Sequence, residues 1–153
     1  MHARLNAYKI APDLMKAVAA LDAQVLAAGL EPALMELVKI RASQINGCAY
    51  CLHLHTKDAR AKGEAEARIY LLDAWRESSL YSARERAALL WTETLTLIAD
   101  GQAPDAAYDA ARSVLDEADM VKLTLLIGMI NIWNRIAIGF RSQHPVHSPR
   151  EAA

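Results

Sequence analysis

The spacing of apolar residues constrains this chain more than any other feature. They recur at every third or fourth position, and runs of β-branched residues are absent. That period gathers side chains on one face of an α-helix, whereas a strand would alternate them. Punctuation is sparse, with 6 Gly and 5 Pro among 153 residues. A chain of this length can bury a core without disulfide or metal staples. Residues 1–153 therefore read as a single, compact, all-α domain.

The breaks divide it into about seven helices. Pro12 opens one over 13–28, with Leu14, Val18, Leu21, Val25 and Leu26 on a stripe and Gly29 after it. Pro32 opens a second over 33–45, closed by Asn46-Gly47. A third starts near Cys48 and stops at Lys62-Gly63, and a fourth spans 64–75. Ser82 and Glu85 have capping-box spacing and start a helix running through 98. Pro104 opens a short one, 113–118 reads as a turn, and the last helix covers 119–141. Over 123–140 it is apolar on nearly every side, so it must be covered on every side. Either it is a central core helix of one chain, or a second subunit covers it in a homo-oligomer.

Composition narrows the function classes. With 54% hydrophobic and 23% charged residues, disorder is excluded. A net charge of −1 with both signs interspersed leaves no electrostatic footprint for nucleic acid or an anionic membrane. The first residues carry charges without a signal-peptide apolar run. The longest apolar stretch, 123–133, falls short of the roughly 20 residues that cross a bilayer. The expected location is cytoplasmic.

Both cysteines lie in one Cys48-Ala49-Tyr50-Cys51 motif. A two-residue gap closes almost no loop, so the pair adds little to stability and reads as redox chemistry or metal binding. On a helix, Cys51 and His55 fall within about 60° and 20° of Cys48, whereas His53 points elsewhere. A thiol in a first turn is favoured as thiolate by the helix dipole, and His55 is one turn from Cys51, close enough to exchange its proton. Glu36, in the preceding helix, has two readings. It could orient His55 across a short-loop helix pair, or it could be a solvated partner of Lys39 or Arg41.

These residues resemble the carboxymuconolactone decarboxylase superfamily, and within it the alkylhydroperoxidase D branch. The shared pattern is Glu36, eleven intervening residues, Cys48-x-x-Cys51, three residues and His55, with Ile45-Asn46-Gly47 before it and Asn131-Ile132-Trp133-Asn134-Arg135 late in the chain. The resemblance implies a helical fold assembled as trimers or hexamers and a thiol-dependent reduction of hydroperoxides. Cys51 would attack with the help of His55 and Glu36, Cys48 would resolve the sulfenic acid as a disulfide, and a dithiol or lipoyl-type reductant would restore the pair. No bound cofactor and no metal are implied. One position departs: Tyr50 stands where those members have a second histidine, and a phenol is a poor base near neutral pH.

Three rival readings stay beside this one. The decarboxylase side of the superfamily does not depend on a Cys-x-x-Cys dyad. Cys48, Cys51, His55 and Glu36 could hold zinc, although a dyad inside a regular helix is not the usual closed site. A redox sensor would use the same thiolate chemistry without turnover. Elsewhere, His53 reads as a surface or interface residue, and His2, His144 and His147 lie near the termini. Trp75, Trp91, Trp133, Met120 and Met129 read as packing residues. Arg135 is expected to pair with a carboxylate such as Glu85 or Glu93.

Overall fold

A computed structural model describes residues 2–145, within which nine α-helices and a 3-10 turn form the fold and no strand occurs. In chain order the helices are α1 (Ala7–Ile10), α2 (Pro12–Leu26), α3 (Pro32–Asn46), α4 (Ala49–Ala61) and α5 (Glu66–Tyr70). After the turn at Leu72–Ala74 come α6 (Ala83–Thr96), α7 (Ile98–Gly101), α8 (Asp105–Arg112) and α9 (Glu117–Phe140). The seven helices expected from the sequence are present, and α1 and α7 are four-residue additions. Such single turns are too short to carry an apolar period of their own.

Three expectations are corrected. The segment expected as one helix over 64–75 breaks after Tyr70 and tightens into the 3-10 turn. Tertiary anchors explain it: Leu72 is fully buried, and the Trp75 indole N–H donates to Glu93 at 2.7 Å. On α2 Val18, Val25 and Leu26 of the expected stripe pack against the core, joined by Met15, while Leu14 and Leu21 are exposed. Finally, α9 starts at Glu117, because Asp116 caps it by accepting from the Asp119 N–H at 2.8 Å. The capping box at Ser82 and Glu85 forms as the sequence indicated.

Helix α3 lies at the centre, packed against α4, α6 and α9. Nine of its residues are buried, among them Leu37, Val38 and Ile40 with no exposure. One core unites Leu34 and Val38 of α3 with Trp91 of α6 and Leu123, Leu126 and Ile127 of α9. A second joins Leu37 and Ile40 to Ala59, Leu72, Trp75 and Leu89. By length and its mean hydropathy of 1.5, α9 could cross a membrane. Its buried face nevertheless packs against α2, α3, α6 and α8, as a core helix does. Its opposite face leaves Val121, Leu125, Ile132 and Ile138 exposed. Trp75, Trp91, Met120 and Met129 are buried, as the sequence indicated.

A polar seam ties α9 to the α3–α4 corner. The Asn46 amide N–H₂ donates to Asn131 Oδ1 at 3.0 Å and to Asn134 Oδ1 at 2.8 Å, and Asn134 donates to Ser43 Oγ at 3.0 Å. Asn134 and Ser43 have no exposure, so each buried polar group is satisfied by the others. Arg135 does not pair with Glu85 or Glu93, a further correction. It donates to the Asn131 carbonyl and side chain, while Glu85 is engaged by Arg68 and Glu93 by Arg41 and Arg76.

Candidate active site

The corner between α3 and α4 is built by Asn46-Gly47-Cys48. Gly47 takes a left-handed backbone, φ 69°, which glycine adopts without a Cβ penalty. The Cys48 N–H then donates back to the Ser43 carbonyl at 3.0 Å and the Gly47 N–H to that of Gln44 at 3.2 Å. This is the glycine-terminated helix end that the sequence signalled. Cys48, just past the end of α3, is at the same time the N-cap of α4. Its Sγ accepts the Cys51 N–H at 3.4 Å. The sequence reading placed Cys48 inside the helix; at its N-cap it still meets the free amide end of α4.

Cys48 and Cys51 are joined as a disulfide, with Cα atoms 5.4 Å apart. Both are buried, Cys51 being 3% exposed, but they face different surroundings. Cys48 has no exposure and packs among Ala42, Ile130 and Ala137. Cys51 lines a cavity of about 280 Å³ whose walls include Tyr8, Tyr50, Leu54, His55, Trp133 and Ile136. Tyr50 stands at the mouth, 38% exposed. Trp133, expected as packing, is therefore also a cavity wall, and Tyr8 and Asp22 are lining residues that sequence reading missed. No motif marks those two, because α2 and the N-terminal segment reach the site only through tertiary packing.

Glu36 is 1% exposed, which rules out the solvated reading. Its Lys39 pair does exist, at 2.8 Å to Oε1, but Lys62 reaches the same oxygen at 2.5 Å, and Oε2 meets His55 Nδ1 at 3.2 Å. Burial pushes the Glu36 carboxyl up, but hydrogen bonds from His55, Lys39 and Lys62 together outweigh it and hold it at about 2. An ionised carboxylate only accepts, so the His55 Nδ1 must carry the hydrogen. In the neutral imidazole that leaves Nε2 as an acceptor. Glu36 thus orients His55 and is not itself placed to take up a proton near neutral pH.

Lys62 was not singled out in the sequence, although it lies seven residues after His55 and hence on the same helical face. His53 falls outside the group, as the helical spacing indicated; its ring stacks on His144 with centroids 5.2 Å apart. His2 is exposed, and His147 lies outside the described residues. Glu36, His55 and Asp58 present ligand atoms within 4.8 Å of one another. A cation there would face the ammonium groups of Lys39 and Lys62, which already hold Glu36. In this oxidised form Cys48 and Cys51 are bonded to each other rather than held as thiolates beside Glu36 and His55.

A helical hairpin that sets two bonded cysteines, one of them lining a cavity, beside a carboxylate-anchored histidine has the parts of a thiol-disulfide centre. Residues 12–94 match the carboxymuconolactone decarboxylase family, and the chain belongs to it. The uncharacterized protein YdfG of Bacillus subtilis is 45% identical over 138 residues, covering 90% of this chain and 94% of that protein. A crystal structure from Agrobacterium tumefaciens, of a protein of unknown function provisionally assigned to AhpD-type antioxidant defence, has a TM-score of 0.93. It is 47% identical, over 95% of this chain and all of that one. The debrominase Bmp8 shares the fold, with a TM-score of 0.79 at 20% identity over 88% of this chain and 73% of its own.

Proposed function

We propose that the protein is a thiol-dependent peroxidase, reducing organic hydroperoxides through a Cys48–Cys51 dithiol/disulfide cycle. The observation that carries this reading is the unequal placement of the two thiols. Cys51, though only 3% exposed, lines an apolar-walled cavity together with His55, whereas Cys48 lies behind it, away from that cavity and within bonding distance. Family membership and the resemblance to the Agrobacterium protein support an antioxidant role in general terms.

In the reduced protein His55 Nε2 takes the Cys51 proton, and the thiolate attacks the terminal peroxide oxygen. The O–O bond breaks, the alcohol leaves with a proton, and Cys51 becomes a sulfenic acid. The Cys48 thiol attacks that sulfur, releasing water and closing the disulfide. An external dithiol, of lipoyl or related type, then attacks the Cys51 sulfur through the cavity that it lines. Cys48 leaves as a thiolate into the N-cap position, where the Cys51 N–H and the helix amide end receive its charge, and a lower-pKa leaving thiol departs faster. The dithiol ends as its own disulfide, so two electrons pass from it to the peroxide.

Such a cycle suits the reducing cytoplasm, and the exposed apolar residues of α9 suit burial against a second copy in a trimer or hexamer. The test is consumption of cumene hydroperoxide by the reduced protein with a dihydrolipoyl donor, beside Cys51→Ser. Repeated turnover that disappears in the variant is expected. A single stoichiometric oxidation would replace the peroxidase by a redox sensor, and turnover unaffected by Cys51→Ser would remove the thiol mechanism.

A further inference from the structure

The site carries two ammonium groups that the peroxidase cycle does not use. Lys39 and Lys62 both donate to Oε1 of Glu36, at 2.8 and 2.5 Å, while His55 holds Oε2 at 3.2 Å. We propose that Lys39 and Lys62 are positioning residues that restrain His55. By dividing the charge of Glu36 they disfavour the imidazolium, and so limit how much Cys51 thiolate forms at neutral pH. The inference rests on the reading of Cys51 and His55 given above.

The argument is electrostatic. A buried carboxylate facing an imidazole alone would favour a second proton on the ring, and the two would persist as an ion pair. Here two cations at the far oxygen oppose that proton twice. They take up carboxylate charge through hydrogen bonds, and they repel a positive ring at close range in a weakly polar surrounding. The other charged groups facing this cluster are Asp58 on α4 and Asp22 on α2; α9 contributes only apolar walls there, through Leu126, Ile130 and Trp133. The lysines are therefore the only cations facing His55 among the described residues that line this cavity.

The two differ in exposure. Lys39 sits within α3 with its side chain 10% exposed, whereas Lys62 is 46% exposed. Lys62 is the C-cap of α4, fixed there by the Gly63 turn, in which the Glu64 N–H returns to the Ala59 carbonyl at 2.9 Å. The backbone holds its start, and solvent surrounds its end. Lys62 is the adjustable half of the restraint, and proton transfer from Cys51 Sγ to His55 Nε2 is the step it controls.

The experiment measures iodoacetamide alkylation of Cys51 across the pH range in a reduced Cys48→Ser background. Serine there keeps an N-cap acceptor and leaves one thiol. Lys62→Met is expected to raise the alkylation rate at neutral pH by roughly tenfold, the equivalent of about one pH unit. Lys62→Arg should restore the parent rate, and Lys62→Met combined with Glu36→Gln should abolish the gain. An unchanged or slower rate in Lys62→Met, with thermal unfolding like the parent's, would overturn the proposal: the lysine would then be structural or would favour the thiolate directly. Absence of peroxide turnover in the native protein would fail the peroxidase reading alone, since the alkylation rates need no turnover.

Discussion

Glutamine at position 36 keeps the size of the side chain but removes the charge that Lys39, Lys62 and His55 share. The native carboxyl sits at about 2 in the folded chain, against 4.5 for an unperturbed glutamate. A depressed folded value means the unfolded chain binds that proton more readily. The group therefore stabilises the fold fully above about pH 4.5, and that contribution is lost as pH falls toward 2. The difference, 4.5 − 2 = 2.5, corresponds to about 3 kcal/mol, of which about 2 kcal/mol is gone by about pH 3. Glu31, Glu85, Glu93 and Asp119 are also held below their ordinary range, so acid unfolding of the native protein alone would mix five contributions. Comparing native protein with Glu36→Gln isolates one. Urea unfolding followed by circular dichroism should find the variant less stable by about 3 kcal/mol at neutral pH, with the gap narrowing steadily below about pH 4.5. A gap that stays constant down to about pH 3 would refute the reasoning, because Glu36 would then titrate alike in both states.

Further outcomes follow from the same geometry. With a disulfide reagent such as dithionitrobenzoate, reduced Cys48→Ser should form a mixed disulfide on Cys51 readily, and the remaining thiol of Cys51→Ser should react roughly a hundredfold more slowly, because Cys51 lines the cavity and Cys48, with no exposure, does not. Equal rates would contradict the assigned access. His55→Ala should slow Cys51 alkylation at neutral pH by about 10²-fold and displace its pH profile upward, in line with the loss of a positioned base. Gly47→Ala should lower stability in urea by about 1–2 kcal/mol, since φ is 69° and nothing lies within 4 Å of an added Cβ, leaving backbone strain as the only cost. A loss of several kcal/mol would mean that the corner shifts and carries Cys48 with it.

What the sequence disclosed was what repeats or punctuates locally. The helical period, Pro12 and Pro32 at helix starts, Gly47 and Gly63 at helix ends and the Ser82–Glu85 box all sit where the structure uses them. The grouping of Cys48, Cys51 and His55 followed from position along one helix. Glu36 needed the resemblance as well, because a glutamate three residues before a lysine is equally at home on a solvated face. Other features were out of reach for a physical reason. The Asn46–Asn134–Ser43 seam, the Trp75–Glu93 bond and the cavity walls Tyr8 and Asp22 join residues far apart in the chain. Such pairings depend on how helices cross, which no local spacing records. The α2 stripe shows the same limit: Val18, Val25 and Leu26 pack against the core while Leu14 and Leu21, just as apolar, are exposed, and only the neighbouring helices decide which face inward.

Every group proposed to carry out proton and electron transfer or to position the groups that do, from Glu36 to Lys62, lies on two consecutive helices and the corner between them. The surfaces that would meet a substrate combine the hairpin's own Tyr50 and Leu54 with walls from elsewhere, Tyr8 and Asp22 toward one end of the chain and Trp133 and Ile136 toward the other. Selectivity thus draws in part on stretches of the gene that carry none of the reactivity. Drift in the terminal thirds can reshape what enters without disturbing what reacts, and the hairpin can be inherited intact through many such changes. A lineage built this way can diversify its substrates one wall at a time while its chemistry stays old.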